Sequence, residues 1–243
     1  MGETLVLCGG AKAPNRQVSE KLHLDLSGQN ANISLRIEDI SRRMIADVPD
    51  VVTDLLEVAT YVYGADQLIR RGGNAMQALG ADWRRRFNFV IPVRDPDRWQ
   101  MPAVTEALVR LLAFMSDEDF SFQFERASLP APGRSYFDFS DQEAAFRTDE
   151  VTLFSGGLDS LSGAVDQLDH SDARLLLVSH QSSPKMAERQ RYLAKELARR
   201  FPKRILHVPV RITKHEAKAV ETTQRRFVLT SRGSPLDSEN SPS

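Results

Sequence analysis

The chain has 243 residues, 41% hydrophobic and 27% charged, with a formal net charge of −1: the balance of a soluble globular protein long enough for one large domain or two small ones. No apolar stretch is long enough to cross a bilayer, and the opening Met-Gly-Glu-Thr-Leu-Val-Leu-Cys has neither the basic flank nor the apolar core of a signal peptide, so a cytoplasmic location and no membrane partner are expected. The single cysteine, Cys8, excludes an internal disulfide and a cysteine-built metal cluster, and no zinc site is expected.

In chain order, Thr4–Leu7 reads as a short strand with Cys8 as a buried thiol at its end. Gly9-Gly10 then runs into Ala-Lys-Ala-Pro with no helix behind it, so this glycine pair is expected to be a turn and not a phosphate site. Between Glu20 and Leu26, Leu22, Leu24 and Leu26 share one face and Lys21, His23 and Asp25 the other, which predicts a half-buried strand with His23 toward solvent. Asn32–Ile37 alternates as well, and the two runs are expected to pair across Ser-Gly-Gln-Asn as a β-hairpin. From Val51 to Arg70, Val51, Leu55, Val58, Val62 and Leu68 recur near helical spacing, with Gly72-Gly73 as the terminating cap. In Arg84–Val93 the period is that of a strand, so Phe87 and Phe89 share a face and are expected in a core; stacking on nucleic-acid bases is the competing reading. A helix over Pro102–Met115 and a strand over Phe120–Phe124 complete an N-terminal α+β domain, residues 1–127. Residues 128–149, rich in Pro, Gly and charge, read as a linker.

Beyond residue 150 the pattern changes. Val151–Phe154 is an apolar strand, Leu161, Val165 and Leu168 mark a helix, and Arg174–Ser179 is a second, continuously apolar strand. Met186, Leu193 and Leu197 mark a longer helix before a third strand over Ile205–Val210. This β-α-β-α-β order predicts a parallel sheet with right-handed crossovers, so residues 150–230 read as a nucleotide-binding domain. Residues 181–232 carry 14 Lys or Arg against 4 Asp or Glu, a net of +10 that leaves −11 elsewhere. Such a stretch could steer ATP or a nucleic acid, or simply solvate a helix face and a tail. Residues 231–243 have the composition of a disordered tail.

The first of these strands breaks into Ser155-Gly156-Gly157-Leu158-Asp159-Ser160 before its helix. No Lys follows the glycines, so this is not the kinase and GTPase loop, and adjacent glycines do not make the dinucleotide fingerprint. Gly156 and Gly157 are free to adopt backbone angles closed to other residues, turning consecutive N–H groups inward at a helix N-terminus, which is the geometry that cradles a pyrophosphate. In that reading the amides from Gly156 to Ser160 hold the β and γ phosphates of ATP and the hydroxyls of Ser155 and Ser160 donate further. Asp159 would repel phosphate unless a hard cation such as Mg²⁺ lies between them. The plain alternative is a tight strand-to-helix turn with Asp159 or Ser160 as an ordinary cap. The rule that ligands bind beyond the carboxyl ends of parallel strands also nominates Ser179, His180, Gln181 and Ser182, bordering the nucleoside half of a nucleotide. For His180 the competing reading is an ordinary surface-loop histidine.

Ser-Gly-Gly-Leu-Asp-Ser after a strand resembles the signature of the PP-loop ATP pyrophosphatase family, which cleaves ATP between the α and β phosphates. Over roughly residues 150–225 the chain looks most like the 7-cyano-7-deazaguanine synthase (QueC) branch. Its Leu-Leu-Glu-Val-Ala-Thr-Tyr-Val-Tyr-Gly-Ala-Asp-Gln and Arg-Arg-Arg-Phe-Asn-Phe-Val-Ile-Pro-Val-Arg stretches resemble the N-terminal extension of the defence-associated QatC group. The resemblance implies an α/β fold in which a Rossmann-like, adenine nucleotide α-hydrolase-like PP-loop domain follows the α+β domain. It implies an ATP-dependent, ligase-type enzyme that adenylates a carboxylate of a 7-deazapurine-type substrate, with ATP and Mg²⁺ as cofactors and defence-operon proteins as partners. Ser155, Gly156, Gly157, Asp159 and Ser160 take the pyrophosphate and metal roles, with Asp159 and Ser160 catalytic. Two features depart from the family: no C-terminal cysteine cluster is present, and the apolar helix and strands expected after Glu221–Arg225 are replaced by a polar stretch. An incomplete PP-loop sheet with weak or no turnover is therefore expected. The alternatives are a nucleotide-binding scaffold and a housekeeping synthase of queuosine biosynthesis. A tRNA thiolase would need reactive cysteines, and Cys8 lies far from the loop.

Overall fold

The computed structural model describes residues 3–15, 18, 20–40, 48–69, 84–128, 136–139, 146–214 and 220–222. The chain runs β1 (Glu3–Cys8), β2 (Glu20–Leu24), β3 (Ile33–Ile40), α1 (Asp50–Leu68), β4 (Arg86–Val93), α2 (Pro96–Trp99), α3 (Pro102–Ser116) and β5 (Asp119–Arg126). It continues with β6 (Phe137–Phe139), β7 (Glu150–Leu153), α4 (Leu158–His170), β8 (Leu175–His180), α5 (Pro184–Arg200), β9 (Ile205–Lys214) and β10 (Val220–Thr222). The expected Gly72-Gly73 cap and the tail over 231–243 lie outside the described residues. No helix among the described residues is long and apolar enough to cross a membrane.

Four strands form a parallel sheet in the order β2-β1-β4-β5, with β10 antiparallel on the outer side of β2. The N-terminal half is thus α/β and not α+β. β1 sits inside this sheet and is buried along nearly its whole length, as its unbroken Thr-Leu-Val-Leu-Cys run requires of a strand covered on both faces. Phe87 and Phe89 are buried and stack with Phe120 and Phe122 of the neighbouring strand, so the aromatic stripe is core. Cys8 is fully buried, and burial first, then the nearby Asp25, push its thiol well above the usual range.

The expected hairpin does not form. β2 pairs with β1, whereas β3 pairs antiparallel with β9 in a second sheet. The reason lies in the connection. Asn32 accepts from the Asp25 amide through Oδ1 at 2.9 Å and donates from Nδ2 to the His23 carbonyl at 2.7 Å, while the amides of Asn32 and Ile33 both donate to the Asp25 carbonyl. These bonds close a corner that turns the chain out of one sheet and into the other.

The second sheet is mixed, in the order β6-β3-β9-β8-β7. Its β7, β8 and β9 run parallel and are joined through α4 and α5, the expected β-α-β-α-β unit. Phe154, Ala164, Leu168, Leu175, Leu177, Ala194 and Leu197 form the core beneath those two helices. β3 comes from the first 127 residues and β6 from within 128–149, where Tyr136 and Phe137 are buried, so both stretches contribute to this sheet.

Helix α1 forms where expected and turns most of its apolar stripe inward, with Val58 buried and Val51, Val62 and Leu68 packed partly buried against the same core. Leu55 is half exposed, while Asp54, Glu57, Val58, Tyr61, Gly64 and Ala65 are buried. Asp54 and Glu57 are buried with Arg94, just after β4, whose guanidinium reaches Asp54 Oδ1 at 2.6 Å and Glu57 at 2.8 and 3.0 Å. Asp54 Oδ2 also accepts from the Trp99 indole N–H at 3.1 Å. A bidentate, hydrogen-bonded ion cluster can be buried where lone charges cannot, and it adds a polar patch to the buried face of the helix.

Candidate functional site

The loop over Ser155–Ser160 leaves the carboxyl end of β7. Its entry is held on both sides of Phe154: the Phe154 amide donates to the Val178 carbonyl at 2.7 Å, and the Phe154 carbonyl accepts from Ser179 Oγ at 2.7 Å. Gly156 has φ +78°, where a side chain is strained, and a Cβ there would meet Gln190 Cγ at 3.1 Å. Gly157 is the N-cap of α4 with φ −83° and ψ 173°, ordinary extended backbone. Only the first glycine therefore needs the freedom expected of both.

Within the loop, Ser155 Oγ accepts from the Gly157 amide at 3.2 Å and lies 3.1 Å from Ser160 Oγ, which donates to the Gly157 carbonyl at 3.1 Å. Among the described residues, nothing accepts from the amides of Gly156, Leu158, Asp159 or Ser160. The last three belong to the first turn of a 13-residue helix, where orphan N–H groups and the helix dipole favour an anion. Asp159 is exposed in that turn, with no ion-pair partner among the described residues. Leu158, at the same bend, is 73% exposed.

The residues nominated at the end of β8 divide. Ser179 is fully buried: its Oγ donates to the Phe154 carbonyl and receives a bond from His207 Nε2 at 2.9 Å, which places the proton of that ring on Nε2. It braces the entry of the loop. His180 is exposed and packs edge-on against Tyr63 of α1, ring centroids 5.1 Å apart. Gln181 is buried, its Oε1 accepting from Arg211 at 2.7 Å, and with Ser182 and Ser183 it lines a cavity of about 360 Å³ at the start of α5.

Gln190 of α5 was not legible as a site residue. It is buried, and its Nε2 donates to the carbonyls of Ser155 at 3.1 Å and His180 at 3.2 Å, tying together the exits of β7 and β8. Its Oε1 is buried without a partner among the described residues. A signal existed: Gln190 stands on the stripe Ala187, Gln190, Ala194, Leu197 that α5 buries, and a polar residue on a buried helical stripe needs a reason.

The donor set suits a nucleotide phosphate with Mg²⁺ held mainly by the ligand. Asp159 offers one carboxylate, and no group of three or more His, Cys, Asp or Glu gathers as a metal site among the described residues. Mg²⁺ ordinarily keeps several waters and takes phosphate oxygens with one or two carboxylates, so a single Asp fits that role. The chain matches no protein-family model, no curated protein and no solved structure.

Proposed function

We propose that the chain is a PP-loop nucleotide-binding protein, a QueC-like ATP pyrophosphatase in which Ser155–Ser160 grips the β and γ phosphates of ATP. The observation that carries this reading is the set of open amides at Gly156, Leu158, Asp159 and Ser160, presented by a positive-φ glycine at the carboxyl end of a parallel strand. The reaction proposed is adenylation: a substrate carboxylate oxygen attacks the α phosphorus, and the bond to the bridging oxygen breaks, leaving its electron pair on pyrophosphate. The loop amides, aimed at the departing group, favour that charge. Bound Mg²⁺ would supply further charge neutralisation beside Asp159. The family resemblance extends the proposal to a deazapurine-type carboxylate as substrate and anti-phage defence as setting.

A second reading, nucleotide binding without turnover, is favoured by the open flank of the loop. β7 is the edge strand of its sheet, with Leu153 80% exposed, so the loop has a protein wall on the β8 side alone among the described residues. Adenylates are hydrolysed where water enters freely. Titration of ¹⁵N-labelled protein with Mg-ATP, combined with an assay for AMP and pyrophosphate, separates the readings. Shifts at Gly156 and Gly157 with AMP formation that Asp159→Ala abolishes support the enzyme; shifts without AMP support the scaffold. Unmoved glycine resonances would refute both.

A further inference from the structure

We propose that the carboxyl end of the first parallel sheet holds a second ligand site, for a small organic cation of the amine or amidine type. A cavity of about 230 Å³ opens there, lined by Gly9, Glu57, Tyr61, Pro92, Arg94 and Tyr136 among others. At roughly 30 Å³ per water, it has room for about eight waters or one small planar molecule. It lies where α/β sheets ordinarily take ligands, and it is independent of the phosphate loop in the other sheet.

Tyr61 offers the cavity an open hydrogen-bonding group. The residue is 4% exposed and lines the space, yet its hydroxyl has no hydrogen-bond partner among the described residues. A phenol so placed ordinarily finds one. Gly9 keeps the space open: a Cβ there would sit 3.0 Å from Pro92 Cγ and 3.2 Å from Tyr61 Oη.

Charge selects the ligand class. Arg94 supplies one positive charge against two carboxylates, Asp54 and Glu57, so the buried cluster carries a formal excess of one negative charge. Arg126, which donates to the Arg94 carbonyl, is itself exposed and paired with Asp97. Glu57 Oε1 is filled by Arg94 and Tyr136, but Oε2 accepts one bond only, from Arg94, and has a lone pair to offer. The backbone offers an anion little here, since the Gly9 amide is taken by the Leu24 carbonyl and the Gly10 amide by Asp25 Oδ1, which leaves the neutral hydroxyls of Tyr61, Ser27 and Ser128 beside a net negative cluster. A cation bearing N–H groups completes the neutralisation, bonds Glu57 Oε2 and lets the Tyr61 oxygen accept. The two tyrosine rings beside it add cation–π attraction.

The test uses benzamidinium as probe, with benzamide and benzoate as neutral and anionic counterparts of the same shape, followed by NMR on the full chain. Benzamidinium is expected to saturate in the millimolar range, shifting the amides of Gly9, Arg94 and Ala127 and the Trp99 indole N–H. The other two should bind at least tenfold more weakly. Tyr61→Phe, which keeps the ring and the fold, is expected to weaken benzamidinium about tenfold, the size of a lost hydrogen bond to a charged group. Glu57→Gln should abolish binding while the spectrum remains dispersed. The proposal is overturned if benzamidinium moves none of these signals at 20 mM, if benzoate binds as well, or if Tyr61→Phe leaves the affinity unchanged.

Discussion

Replacing Arg94 by Leu isolates the interaction that lets α1 bury two carboxylates. The guanidinium is almost fully buried and makes three side-chain contacts, at 2.6 Å to Asp54 and at 2.8 and 3.0 Å to Glu57. Removing it strands one carboxylate that is fully buried and another nearly so, and breaking a buried pair from one side costs about 3–5 kcal/mol. For a chain of this size each kcal/mol lowers Tm by about 2–4 °C, so a fall of roughly 6–20 °C is expected in a thermal melt followed by circular dichroism. Arg94→Lys should fall between, because one ammonium cannot reproduce a planar fork across two carboxylates. The triple variant Arg94→Leu, Asp54→Asn, Glu57→Gln removes the charges together and should recover much of the loss, with Asn still available to accept from Trp99. A melt of Arg94→Leu within 2 °C of the parent would show that the carboxylates do not depend on the arginine and would refute the reasoning.

Two further outcomes follow from the second sheet. Gly156→Ala forces a Cβ into φ +78° and against Gln190 Cγ at 3.1 Å, so it should destabilise by about 1–3 kcal/mol and remove the Mg-ATP response; a variant as stable as the parent that still binds would contradict the loop geometry. His170, at the end of α4, bonds the Asp166 carbonyl at 2.8 Å and lies 3.2 Å from its carboxylate, and these raise its pKa above the ordinary 6.5. Because the folded value is the higher one, the contribution to stability is complete below the unfolded value and disappears as pH rises through the folded value. The ring is exposed, so an NMR titration midpoint above 6.5 that falls in high salt and in Asp166→Asn is the expected result, and a midpoint at or below 6.5 excludes it.

Strand and helix positions were legible because they rest on local period: the Leu-Leu-Leu-Val run of β8 and the stripe of α5 carry their own pattern. Sheet membership was not, because it depends on partners far along the chain. Alternation in 20–26 and 32–37 suits a hairpin as well as two strands in different sheets, and only the Asn32 bonds to Asp25 and His23 decide between them. The buried carboxylates of α1 were hidden for a related reason. Val51, Val58, Val62 and Leu68 advertise the inward face, but Asp54 becomes a core residue only once Arg94, forty positions on, is brought beneath it. The spacing of Asp54, Glu57, Tyr61 and Gly64 at helical period beside the single Arg94 was nonetheless on view.

The two Gly-Gly pairs show why a dipeptide alone says little about charge. Gly9 and Gly156 both come after a strand paired in parallel and both take positive φ. After Gly9-Gly10 no helix starts within the described loop, and both amides are spent on Leu24 and Asp25, so what remains at that sheet end is a carboxylate excess around Glu57. After Gly156-Gly157 a helix starts at once, its first amides stay open, and the local field is positive apart from Asp159. Similar strand exits thus lead to opposite ligand preferences, and the deciding variable is whether the next residues consume the backbone donors or present them. The sharpest consequence is a crossed experiment: Mg-ATP should move Gly156 and leave Gly9 still, and benzamidinium should do the reverse. A single ligand that moved both would mean the two sheet ends are not electrostatically distinct.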